Sequence, residues 1–191
     1  MEIGKTLLVI LGVLAFIVFI IVVWFIGTYN SLVATNQDVN AKWSQVENQY
    51  QRRADLIPNL VNTTKGYATH ESSTLEKVTQ ARSQWAGAKT QGDKMKAASE
   101  MDSALSRLML VVEAYPDLKA SSNFATLQAQ LEGTENRIST ERMRYNEAVR
   151  DYNTKIKGIP TSIVADMYGY KDKPFFEATA GAENVPVVNF T

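Results

Sequence analysis

From Thr6 to Ile26 the chain is almost unbroken Leu, Ile, Val and Phe, and no charged residue occurs between positions 6 and 37. At ~1.5 Å per residue a helix over 6–26 spans roughly 31 Å, close to a hydrocarbon core of about 30 Å. After that stretch the pattern becomes periodic. Val39, Trp43, Val46, Tyr50, Ile57, Leu60, Tyr67, Val78 and Trp85 share one 4-3-4-3 register. Ala98, Met101, Leu105, Leu108, Val112 and Tyr115 share a second, and Leu127, Leu131, Ile138, Tyr145, Tyr152 and Ile156 a third. A repeat near 3.5 residues makes a narrow apolar stripe that needs another helix to cover it. Before residue 158 no stretch alternates with period two for long enough to predict a strand. The pattern therefore predicts an all-α protein. It has a transmembrane helix within 1–27, an antiparallel up-and-down helical bundle over 28–170, and an extended apolar tail over 171–191.

The breaks between helices are also legible. Gly87 to Asp93 predicts a loop, with Asp93 as the cap of the next helix. Pro116 to Ser122 predicts another, with Ser121, Ser122 or Asn123 as caps. Gly158-Ile159-Pro160 ends the third run, and a short helix from Thr161 to Met167 follows. Pro58 divides the reading. The register passes through it and Gln51-Arg52-Arg53-Ala54 holds no turn former, which allows three long helices with a kink near Ala54. An unbroken helix from 28 to 86, however, would be about 88 Å long, and the next run would cover little of it. A reversal capped by Asp55, with Pro58 in the following first turn, gives four helices of comparable length and is favoured. Gly66 and Gly133 each cost ~1 kcal/mol relative to Ala inside a helix, and close approach of a neighbouring helix would account for them.

The apolar stretch reads as an uncleaved anchor. Seventeen of its residues between Leu7 and Ile26 are Leu, Ile, Val or Phe. Each contributes roughly −0.3 to −0.6 kcal/mol to insertion, on the order of −5 kcal/mol or more together. Trp24 and Tyr29 stand at the exit, where amphipathic rings prefer the interface. A signal peptide would have a shorter apolar region, about 7–15 residues, and a small-residue cleavage site. Here the exit reads Trp24-Phe25-Ile26-Gly27-Thr28-Tyr29. The chain has no cysteine, which excludes a lipoprotein anchor, disulfides and thiol chemistry. Lys plus Arg number 20 and Asp plus Glu 20, with no basic run, so nucleic acid is not an expected partner and membrane lipid is. Lys5 before the stretch and Lys42 as the first base after it place the amino terminus on the cytoplasmic side by charge count.

The polar blocks offer little chemistry. His70 is the sole histidine, and His70-Glu71 does not make an HExxH site because position 74 is Thr. Helical zinc and di-iron sites need more histidines, a Ser-His-Asp arrangement has no nucleophile pointing to it, and the glycines lie singly. No catalytic, cofactor-binding or metal residue is assigned, and no cofactor is expected. Arg53 instead falls on the buried register, where an unpaired charge is costly, so it should meet a carboxylate. Glu135 and Glu132 are nearest by register, and an Arg53–Glu135 pair is expected. In the tail, Phe175, Phe176, Val187 and Phe190 belong to an apolar segment expected to dock on its own bundle or on a neighbouring subunit. Regular stripes on a chain confined to two dimensions also point to a homo-oligomer.

Three blocks, Arg52-Arg53-Ala54-Asp55-Leu56-Ile57-Pro58-Asn59-Leu60-Val61, Leu127 through Thr134-Glu135-Asn136-Arg137, and Tyr145-Asn146-Glu147-Ala148-Val149, resemble the LemA family. Ala114-Tyr115-Pro116-Asp117-Leu118-Lys119, Tyr29-Asn30, Trp43-Ser44-Gln45, Phe175-Phe176-Glu177 and the ending Val185-Pro186-Val187-Val188-Asn189-Phe190 carry the same resemblance. It covers nearly the whole chain, and Gly133 and the Ser- and Thr-rich 72–74 are minor departures. The resemblance implies a membrane-anchored helical bundle in bacteria with no established catalytic activity. Arg53, Asp55, Pro58, Glu135, Asn136 and Arg137 are its signature residues here, with a structural role. Family members occur alongside membrane metalloproteases, which implies an adaptor or regulator of a protease in envelope quality control as the alternative to a noncatalytic scaffold. The family's usual orientation, amino terminus outside, opposes the charge count, and both orientations stand at this point.

Overall fold

The computed structural model describes residues 2–68 and 70–177. Six helices follow in order: α1 Glu2–Lys65, α2 Ser72–Gly87, α3 Gln91–Val112, α4 Pro116–Lys119, α5 Ser122–Lys157 and α6 Thr161–Met167. No strand occurs among the described residues. Among them, α1 is the one helix long and apolar enough to cross a membrane. Its large apolar side chains from Leu7 to Ile26, Phe25 apart, are 39–71% exposed, as a surface that lipid would cover must be. The chain divides into two compact units. One joins the residues up to Lys42 to Tyr145–Lys173, and the other joins Trp43–Arg144 to the residues from Pro174.

In the first unit Leu32 and Val39 of α1 are buried, as are Tyr145, Val149, Tyr152 and Ile156 of α5. Lys155 Nζ donates to the Ser31 carbonyl at 3.2 Å and to Thr35 Oγ1 at 2.8 Å. The segment after α6 is tied to α5 by Asn153, whose side chain donates to the Lys173 carbonyl and accepts from the Lys173 amide, each at 2.9 Å. That reciprocal pair holds an extended backbone much as a strand would.

In the second unit the buried positions follow the registers. Val46, Tyr50, Ile57 and Leu60 of α1, Val78 and Trp85 of α2, Met101, Leu105 and Leu108 of α3, and Leu131 and Ile138 of α5 are all buried. Trp43 and Tyr115 are only half-buried, and Tyr67 is half exposed, because α1 has already ended.

The reversal favoured at Asp55 is not there, and neither is an unbroken helix to residue 86. Helix α1 runs through Pro58 and stops at Lys65, and the turn falls at 66–71. Two local facts decide this. Proline has no N–H, so the carbonyl of Ala54 loses its helical donor. Arg82 of α2 replaces that donor, with Nε giving a 3.0 Å hydrogen bond to the Ala54 carbonyl. At the real turn, the Tyr67 and Ala68 amides both donate to the Thr64 carbonyl, at 3.0 and 2.9 Å. Glu71 is held there by the Tyr115 hydroxyl at 3.1 Å.

Other expectations shift by a few residues. The cap of α3 is Thr90, whose Oγ1 accepts from the Asp93 amide at 3.1 Å and donates to the Asp93 carboxylate at 2.6 Å, so Asp93 completes the cap from inside the first turn. Ser121 caps α5 by accepting from the Phe124 amide at 3.3 Å. The loop expected from Pro116 contains the short α4, with Pro116 at its start, where a missing N–H costs nothing. The reading of Gly66 and Gly133 as close approaches is corrected. A Cβ at Gly133 would meet nothing within 4 Å, and one at Gly66 would meet only its own Thr63 carbonyl at 3.6 Å.

Candidate functional site

Three helices of the second unit bring six polar side chains into one cluster. Tyr50 and Arg53 lie one turn apart on α1, so they share a face. Arg53 is 3% exposed, and each of its guanidinium nitrogens has a different partner. Nη1 donates to Asp102 of α3 at 2.5 Å, Nη2 donates to Glu135 of α5, and Nε donates to Thr134 Oγ1 at 3.4 Å. Thr134 in turn donates to the Leu131 carbonyl at 2.7 Å, which orients its oxygen to accept from Arg53.

Asp102 is the hub. Its second oxygen accepts from the Tyr50 hydroxyl at 2.9 Å and from Arg142 Nη2 at 2.8 Å. Arg142 also donates to the Tyr50 oxygen, so that hydroxyl donates and accepts at once. Two arginines thus face two carboxylates, and the cluster carries no net charge. Burial pushes the Tyr50 phenol far above its ordinary range, and the Asp102 carboxylate adds to the effect. The hydroxyl therefore keeps its proton, which the bond to Asp102 requires.

Aromatic rings close the cluster on the other side. The Arg142 guanidinium stands 5.3 Å from the Tyr50 ring centre and 4.8 Å from that of Phe176. Phe176 also stacks on Trp43, 5.6 Å between centroids and 20° between planes. Trp85 lies 4.9 Å from Tyr50, with Lys94 Nζ 4.5 Å above it. A cation over a ring is stabilised by the negative face of the π system.

A cavity of about 580 Å³ opens beside these groups. Leu105, Met109, Val112, Phe124 and Leu131 make its apolar wall, and Arg53, Asp102, Glu135 and Arg142 border it. The Nε of Arg142 is buried and has no hydrogen-bond partner among the described residues. The Arg53–Asp102 side is nearly closed to water, whereas Glu135 is 58% exposed and faces it. Such a recess suits an apolar group more than a reacting one, because its charges are already engaged with each other.

The signature residues are not all gathered here. Arg53 and Glu135 meet, but Asp55 is exposed and accepts from Gln51, at 2.8 Å. Pro58, Asn136 and Arg137 are exposed as well. Phe176 packs against its own chain, and Phe175 is 44% exposed. Val187 and Phe190 lie outside the described residues. His70 is exposed. Among the described residues no group of three or more His, Cys, Asp or Glu side chains is placed to hold a metal ion.

Asp102, Arg142 and Thr134 escaped the sequence reading. For two of them there was a signal. The third register skips from Leu131 to Ile138 and from Ile138 to Tyr145, and Thr134 and Arg142 fill those gaps. A polar residue in a gap of an apolar stripe is a candidate for a buried network. Asp102 flanks its stripe beside Met101 and gave no such sign.

Comparison with known proteins agrees with this geometry in extent. Magnetosome protein MamQ 2 of Paramagnetospirillum magneticum is 29% identical over 197 aligned positions, covering 87% of this chain and 72% of that protein. Magnetosome protein MamQ of Magnetospirillum gryphiswaldense is 27% identical over 187, covering 84% and 68%. Protein LemA of Metamycoplasma hominis is 28% identical over 158, covering 81% and 71%. The LemA family model matches residues 42–190, which include every member of the Arg53–Asp102–Arg142 cluster and the whole cavity wall. The chain belongs to the LemA family.

Proposed function

We propose that this chain is a noncatalytic, membrane-anchored interaction protein of the bacterial envelope, in which an antiparallel helical bundle works as a self-associating scaffold. The observation that carries the reading is the mutual pairing of Arg53, Asp102, Glu135 and Arg142. Charges that clamp three helices together are not held ready for a substrate. The apolar stretch of α1 supplies the anchor, and confinement to a membrane raises the local concentration of copies. Relatives named as magnetosome proteins fit an organising task, since the name attaches them to an assembled body.

Two measurements test the proposal. The full chain, purified in detergent, is expected to show a mass of more than one chain by light scattering, and a strict monomer overturns self-association. Affinity capture from native membranes is expected to recover the chain itself, and a membrane protease at stoichiometric amounts moves the assignment to a protease adaptor. The paired change Arg53→Met with Glu135→Leu leaves Asp102 with Arg142 and is expected to preserve both fold and association. Loss of association in a stably folded double variant would give these residues a direct functional role.

A further inference from the structure

Helix α6 and the residue pair around it expose an apolar face beside the end of the membrane-spanning stretch. Ile159, Ile163, Met167 and Tyr168 are 89%, 59%, 67% and 52% exposed. Ile163 and Met167 lie one turn apart on the same side of α6, and Val164 and Ala165, turned the other way, are buried. The Tyr168 ring sits 4.6 Å from Tyr29 and 6.2 Å from Phe25, the rings at the exit of the apolar stretch of α1. Trp24, the residue before Phe25, adds an amphipathic ring at that exit.

We propose that α6, with Ile159 ahead of it and Tyr168 behind, lies in the membrane interface next to the exit of α1, its apolar face toward the acyl chains. The proposal rests on reading α1 as a membrane anchor. Three observations favour lipid over a protein as the occupant. The exposed face is continuous with the lipid-facing surface of α1 through the Phe25–Tyr168 contact. Its flanks carry charges suited to headgroups: Lys157 pairs with Asp172 at 2.6 Å, and Lys171 and Asp166 are exposed. The helix is also delivered to the surface by a tether, so a seven-residue element needs little affinity of its own to stay there.

The chain has no cysteine, so a single introduced cysteine is a unique label site. The full chain carrying Ile163→Cys, Met167→Cys, Leu14→Cys or Arg150→Cys is labelled with an environment-sensitive fluorophore and reconstituted in phosphatidylcholine–phosphatidylglycerol vesicles. Labels at 163 and 167 are expected to shift to the blue and lose emission to nitroxides carried just below the headgroup. The label at 14 should lose emission to deep nitroxides, and the label at 150 to neither. If 14 is quenched by lipid while 163 and 167 are quenched only by aqueous iodide, the proposal falls and the anchor stands. If 163 and 167 are shielded from iodide and from lipid nitroxides alike, protein covers the face and the proposal also falls. If 14 itself escapes lipid quenching, the anchor reading fails and takes the proposal with it.

Discussion

Arg53 and Arg142 share one carboxylate, and the two acids around them have different weights. Asp102 is largely buried and bonds both arginines and Tyr50, whereas Glu135 is mostly exposed and bonds Arg53. Removing one partner of a buried pair costs about 3–5 kcal/mol, while an exposed pair contributes about 1 kcal/mol or less. Asp102→Ala is therefore expected to lower stability by about 3–5 kcal/mol and Glu135→Ala by about 1 kcal/mol or less, read by denaturant titration of the full chain in detergent. Equal effects would show that Asp102 is not the hub. Tyr50 gives a pH dependence. Its native phenol titrates above the ordinary value of 10.0, so the unfolded chain releases the proton first. Stability is then fully present below pH 10 and falls above it, by at most about 1.4 kcal/mol per pH unit for one proton. Tyr50→Phe should remove that part of the alkaline slope and cost about 1–3 kcal/mol at neutral pH through its lost hydrogen bonds. Burial also raises Tyr115, Tyr152 and Tyr170, so a smaller slope remains in the variant. The Arg53–Glu135 pair was legible because Arg53 falls on the buried register and Glu135 is one of the two carboxylates nearest to it by register. Asp102 was not, since charges add no periodicity of their own and its place depends on which face α3 turns inward.

At the scale of elements, Pro58 shows how a helix breaker is accommodated by a neighbour. A proline inside a helix costs ~3 kcal/mol or more, part of it from the carbonyl four residues earlier. Here that carbonyl, on Ala54, receives Arg82 from α2, so the arginine both satisfies the orphan and fixes how α2 lies along α1. The two residues should therefore be coupled. Arg82→Ala alone is expected to cost about 1–3 kcal/mol, because a buried acceptor is left unpaired. In a Pro58→Ala background the helix regains its own donor, and the same change should cost less, by about 1 kcal/mol or more. Additive effects in this double-mutant cycle, read by thermal unfolding, would reject the coupling. The register through Pro58 was visible in the sequence. The helix end at Lys65 was not, because it depends on Tyr115, 44 residues away, holding Glu71 at the turn.

For the whole molecule, the apolar stretch of α1 is long and apolar enough to cross a membrane. Seventeen apolar residues favour insertion by on the order of 5 kcal/mol or more, and each Asp at the centre of a span costs ~2.5–3.5 kcal/mol. The paired change Leu14→Asp with Ile17→Asp is thus expected to move the chain from the carbonate-resistant membrane pellet into the extract, and retention in the pellet would show a second, independent attachment. The sequence by itself determined the helical class, the membrane-compatible stretch, the buried stripes and the bounds of α6. Each of these follows from hydrophobic periodicity and local chain chemistry, which act over a few residues. Only the tertiary structure decided that α1 passes Pro58, that the chain turns at 66–71, and that one aspartate serves two arginines. Those outcomes depend on pairings between residues 28, 40, 44 and 49 positions apart, where what a polar group meets is set by the packing of other helices.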